Sequence, residues 1–173
     1  MRTSLVLAAA LLMLGGGFST GWSGNARAAD ETAIDDYKLA NSLYQKGRWK
    51  LAAESYENFL RQNPKHRKAE AARYFLGLTY VNLENHARSR EVLRGFAKDY
   101  PKSEYRTHAL YWIGQGSYIL EDYAAAEQEL AAFVKLANVD DGLLERAWPY
   151  LAESEFRLNK PQLALAHYLQ AIK

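Results

Sequence analysis

Phe75, Leu76, Leu78, Tyr80 and Leu83, followed by Val92, Leu93 and Phe96, recur mostly at spacings of three and four with charged residues between them. That is the period of an amphipathic helix. The pattern continues along most of the chain, and no stretch sustains the alternation of a strand. Short breaks fall at Lys46-Gly47-Arg48, Glu84-Asn85, Glu121-Asp122 and Asn159-Lys160. Asn63-Pro64-Lys65 and Tyr100-Pro101-Lys102 end further helices, because proline lacks the N–H and restricts the residue before it. Eight helices are predicted, near 33–46, 49–63, 67–84, 86–99, 104–120, 122–137, 144–158 and 161–172. The fold class is all-α.

The helices come in pairs that repeat every 37 residues. Ala40 falls on Gly77 and Gly114, Ala52 on Ser89 and Ala126, Tyr56 on Leu93 and Leu130, and Phe59 on Phe96 and Phe133. Pro64 falls on Pro101, and a fourth copy follows at a shift of 38 with Ala152, Ala164 and Tyr168. The small residues have a steric reason. Two antiparallel helices approach closely where side chains are missing, and Tyr56, Leu93, Leu130 and Tyr168 fill the wedge between them. A glycine inside a helix costs about 1 kcal/mol relative to alanine, so Gly77 and Gly114 need such a reason.

The order of these residues resembles the tetratricopeptide repeat. A small residue is followed three on by an aromatic, twelve on by a second small residue, four further by a large one, then by an apolar and a proline. The second copy matches best, with Leu76-Gly77, Tyr80, Ser89, Leu93, Phe96 and Pro101. The third has Ser117 and Asn138 in place of the aromatic and the proline, and the fourth has Glu155 in the aromatic slot. The resemblance implies a solenoid of four helix-turn-helix repeats, about 33–66, 70–103, 107–140 and 145–173, in a domain spanning 29–173. The three extra residues after Pro64 and Pro101 resemble the long-loop repeats of bacterial envelope proteins. These include a β-barrel-assembly lipoprotein and a periplasmic coordinator of cell division. The chain has no cysteine, so the lipoprotein's anchor is not expected.

The resemblance also implies a concave groove lined by first-helix side chains. Carried over by position, these are Tyr37, Asn41 and Tyr44, then Tyr74, Leu78 and Val81, then Tyr111, Gln115 and Tyr118, then Glu153 and Phe156. A tyrosine-rich, mostly uncharged surface offers contact area at low rotamer cost and suits a protein or peptide partner. The carboxylate clamp of chaperone-binding members does not fit, since Tyr37 and Leu78 stand where it needs Lys and Asn.

The first thirty residues read differently. Arg2, the apolar run Leu5–Leu14 and the small-x-small Ala26-Arg27-Ala28 follow the order of a secretory signal peptide, assigned to 1–28. Ten apolar residues make about 15 Å of helix, roughly half a bilayer core, so no membrane span is expected in the mature chain. Cleavage would leave 20 basic and 20 acidic residues. That balance gives no case for nucleic acid or a polybasic membrane surface. A secreted or periplasmic location is expected.

Zero cysteine excludes a disulfide framework and a cysteine nucleophile. Gly114-Gln115-Gly116 begins like a dinucleotide fingerprint, but Ile119 stands at the third glycine and no strand precedes it. His66, His86, His108 and His167 show no i, i+4 pairing and no acidic partner at ligand spacing. Asp35-Asp36 and Asp140-Asp141 fall near expected helix starts, where capping is the expected role. No enzyme, cofactor or metal is expected. On the last helix Leu165, Tyr168, Leu169 and Ile172 form one stripe, of which one side is expected to pack on Leu151 and Phe156 and the rest has nothing to cover it. The chain is therefore expected either to be part of a longer repeat protein with a structural role or to self-associate through that helix. The functional expectation is a non-catalytic protein-binding scaffold of the bacterial cell envelope, with outer-membrane biogenesis as an alternative.

Overall fold

A computed structural model describes residues 20–136 and 139–172, with backbone alone for 20–24. The apolar run of the expected signal peptide and Asn138 lie outside the described residues. The described residues form eight helices and no strand: α1 (Thr20–Gln45), α2 (Trp49–Gln62), α3 (Ala69–Asn82), α4 (His86–Asp99), α5 (Arg106–Ile119), α6 (Tyr123–Phe133), α7 (Asp141–Arg157) and α8 (Pro161–Ala171).

The chain divides into two compact units, Met1–Thr32 and Ala33–Lys173. In the first, the described residues are helical and tied by local bonds, an Arg27–Glu31 ion pair of 3.1 Å and a bond from the Thr32 hydroxyl to the Ala28 carbonyl. Helix α1 therefore starts well before the expected 33. The stretch from Ala26 to Gln45 holds neither proline nor glycine to stop it. This corrects the role of Asp35-Asp36: the pair sits mid-helix, and Asp35 pairs with Lys38 at 3.0 Å instead of capping. Asp140 precedes α7 as its N-cap residue but makes no side-chain cap bond.

In the second unit each helix from α2 onward packs on the next, and α5 also touches α7. The turn inside every repeat closes the same way. Gly47, Glu84, Glu121 and Asn159 all take a left-handed φ, between 57° and 67°. In the second repeat the Glu84 N–H bonds the Val81 carbonyl and the Asn85 N–H bonds that of Tyr80, both at 2.9 Å. The other three turns repeat both bonds. This is the glycine-type helix stop, and it satisfies the last carbonyls of each first helix. Asn85 and Asp122 then cap the next helix through their side chains, accepting from the N–H groups of Arg88 and Ala125.

The wedge expected from the small residues is present. A Cβ at Gly77 would lie 2.3 Å from Leu93 Cδ2, and one at Gly114 would lie 2.7 Å from the corresponding atom of Leu130. Ala40, Ala52, Ala126, Ala152 and Ala164 are buried. The Ser89 hydroxyl, buried at the register of Ala52, Ala126 and Ala164, donates to the Gly77 carbonyl at 3.0 Å. Tyr56, Leu93 and Leu130 are fully enclosed. At the last helix the apolar stripe stays open: Leu165, Leu169 and Ile172 are exposed.

Candidate functional site

The first helices α1, α3, α5 and α7 carry the residues assigned to the groove, and the structure sorts them into two sets. Tyr37, Tyr74 and Tyr111 are buried, which corrects their expected exposure. The cause is the long loop between repeats. Lys68 reaches over the Tyr37 ring at 5.7 Å, and Tyr105, one period later, stacks on Tyr74 at 4.7 Å. Leu143 fills the corresponding place and packs in one cluster with Tyr111. The residues at the start of α3, α5 and α7 thus roof each tyrosine. Burial pushes the Tyr74 and Tyr111 hydroxyls up to about 12.

Asn41, Tyr44, Leu78, Val81, Gln115, Tyr118 and Glu153 are half-buried, and Phe156 is exposed. Asn41 is held from below, its Oδ1 accepting from the Tyr56 hydroxyl at 2.5 Å. That leaves the Asn41 amide to donate. Tyr44 packs edge-on against Trp49 and Phe75, at 5.1 and 5.5 Å between centroids. Gln115 donates to the Tyr150 hydroxyl at 2.8 Å and to that of Tyr111 at 3.3 Å. Tyr118 meets Tyr150 at 5.1 Å and Tyr123 at 5.9 Å. Burial raises the Tyr44 and Tyr118 hydroxyls above the usual tyrosine range. Both are neutral donors at physiological pH.

Two residues of this face escaped the sequence reading. Asn82 lies beside the Tyr44 hydroxyl and donates to the Leu78 carbonyl at 2.9 Å. Tyr150 links α7 to Gln115 and Tyr118. A signal for Tyr150 existed: it stands at the repeat register of Phe75 and Trp112. The charge at this face is confined to one end. There the Tyr168 hydroxyl and the Arg157 guanidinium hold the Glu153 carboxyl below the usual carboxylate range.

The chemistry of the face is that of a contact surface. Its side chains offer aromatic area with amide and hydroxyl groups, and no nucleophile stands beside a base among those named. Gly114-Gln115-Gly116 lies mid-helix in α5, with Gly114 pressed on Leu130. Among the described residues no three His, Asp or Glu side chains gather at metal-ligand distance. One histidine departs from expectation. His167 Nδ1 lies 2.7 Å from Glu155 Oε2, with Trp148 stacked on the imidazole at 5.3 Å. Helix α8 lays His167 over α7, an acidic partner twelve residues away that local spacing could not disclose.

Residues 37–104 match the family model described as Tetratricopeptide repeat. No curated protein matches the sequence. Solved structures do. The chain resembles MamA residues 41-end from Desulfovibrio magneticus RS-1, at 16% identity and a TM-score of 0.67, with 81% of this chain and 73% of that chain covered. MamA from AMB-1 is similar at 17% identity and a TM-score of 0.67, with 88% and 84% covered. The TPR-like repeats of a Podosopora anserina kinesin light chain protein align at 16% identity and a TM-score of 0.63, with 83% and 74% covered.

Proposed function

Because this chain is a tetratricopeptide-repeat solenoid, we infer that it is a non-catalytic scaffold which holds a protein segment against its first-helix face. The fold is one that presents surfaces to protein partners. The observation that carries the reading is the half-buried set Asn41, Tyr44, Leu78, Val81, Gln115, Tyr118 and Tyr150, with the exposed Asn82 beside it. These residues place aromatic area and amides beside each other with little charge. Aromatic side chains with two rotatable angles lose little entropy on contact, and amides pair with the backbone of an extended or helical ligand. Sequence features support an envelope location: the charged start, the apolar run and Ala26-x-Ala28.

Capture of partners from an envelope fraction tests both statements. Tyr44→Ser with Tyr118→Ser should lose the captured partner by at least about tenfold, while the helical circular-dichroism signal stays. The native protein recovered alongside should begin at Ala29 or Asp30. Undiminished capture by the double variant would remove the groove, and an intact Met1 on exported protein would remove the signal peptide.

The exposed Leu165, Leu169 and Ile172 favour a second reading, end-on association through α8. A sedimentation series across a wide concentration range should then show a growing oligomer that Leu165→Glu with Leu169→Glu abolishes. A monomer throughout removes this reading.

A further inference from the structure

The three junctions between successive repeats have the same register and different contents. At the first stand the half-buried Leu60 and the buried Ala69, and Arg73 pairs with Asp99. At the third, Val134 and the half-buried Leu144 stand at the positions of Leu60 and Ala69. At the second, Ala97 takes the place of Leu60 and Arg106 the place of Ala69. Leu110 and Leu136 replace the Arg73–Asp99 pair. A large apolar side chain is thus missing where an arginine has been added.

The result is a cleft of about 500 Å³ between α4, α5 and α6. Its floor is Leu110, Ile113, Phe133 and Leu136, and Lys98 and Arg106 stand at its polar side. The volume lies within the range of small-molecule sites. Arg94 also lines the cleft, but its charge is met by Glu129, whose carboxylate accepts from Arg94 Nε at 2.9 Å and from the Ser117 hydroxyl at 2.5 Å. Lys98 and Arg106 have no ion pair among the described residues. The Arg106 Nε–H is buried with no hydrogen-bond partner. A buried donor left unsatisfied is costly, and at this place it faces a cavity with two uncompensated positive charges.

We propose that this cleft binds an alkyl carboxylic acid of medium chain length. The chain fills the space that Leu60 and Val134 fill at the other junctions, and the carboxylate accepts from Arg106 Nε and pairs with Lys98. A peptide suits the cleft less well. Its walls are helices whose backbone groups are bonded internally, so the amides of a peptide would find only the Gln128 and Glu129 side chains. The cleft uses the 106, 110, 113 stripe of α5. The first-helix face uses the 111, 115, 118 stripe, so this site stands or falls apart from the scaffold reading.

Calorimetric titration of the whole protein with decanoate, below its micelle concentration, tests the site. One decanoate should bind per chain, and uncharged decanol should bind at least about tenfold more weakly, since only the acid satisfies Arg106 and Lys98. Arg106→Leu copies Leu144 and should bring the two ligands level. Ala97→Leu copies Leu60 and should abolish binding of both. Tyr44→Ser with Tyr118→Ser should bind decanoate as the unaltered protein does. Equal binding of acid and alcohol by the unaltered protein overturns the proposal, and that comparison needs no variant. Full decanoate binding by a folded Ala97→Leu protein overturns it too. So does saturation of the cleft by a leucine-terminated peptide where decanoate fails to bind.

Discussion

Leu93→Ala is expected to lower the unfolding free energy by about 2–5 kcal/mol, and to change the sign of a second substitution. Leu93 is fully buried and packs where Gly77 has no side chain. In the native background Gly77→Ala drives a methyl group to 2.3 Å from Leu93 Cδ2 and 2.5 Å from its Cγ. Overpacking of that kind costs about 1–3 kcal/mol. It outweighs the gain of roughly 1 kcal/mol that alanine brings to a helix interior. Once Leu93 is truncated the clash is gone, and Gly77→Ala should then stabilise by about 1 kcal/mol. Urea denaturation of the four proteins of this cycle measures the coupling. Additive effects would show that the helices do not meet at this wedge.

His167→Leu is expected to cost about 3–5 kcal/mol, because it leaves the Glu155 carboxyl buried without its partner. Glu155 is nearly inaccessible and makes its side-chain bond to His167 Nδ1 at 2.7 Å. The stack of Trp148 on the imidazole is lost as well. Glu155→Leu together with His167→Leu should cost far less than His167→Leu alone, since no polar group is then stranded. Melting curves at neutral pH compare them. A double variant less stable than the single would show that the pair is not what holds α8 on α7.

The wedge and the turns were legible because they depend on residues close in sequence. Gly77, Leu93 and the breaks at Gly47, Glu84, Glu121 and Asn159 repeat at a fixed offset, and one small side chain against one large one is a local steric fact. The groove was legible only in part. Register placed Tyr37, Tyr74 and Tyr111 on the correct helix face, but the roof over them comes from Lys68, Tyr105 and Leu143. These stand about thirty residues further along, in or just after loops whose course no periodicity dictates. The Glu155–His167 pair was hidden for the same reason. The length of α1 was missed because a helix stops only where something stops it, and the expected cleavage site supplies neither proline nor glycine between Ala26 and Gln45. The cleft by Arg106 was open to a comparison of copies, since Leu60, Ala97 and Val134 share one register. A search for what repeats passes over what differs.

The most direct measurement places a photoreactive phenylalanine analogue at position 118, on the face of α5, and in a second protein at position 98, at the cleft by Arg106. Irradiation in the envelope fraction should join position 118 to one protein segment, and Tyr44→Ser should suppress that product. Position 98 should give no such product. Equal crosslinking from both positions, or a product from 118 that Tyr44→Ser leaves unchanged, would contradict the assignment of the first-helix face as the surface that holds the partner.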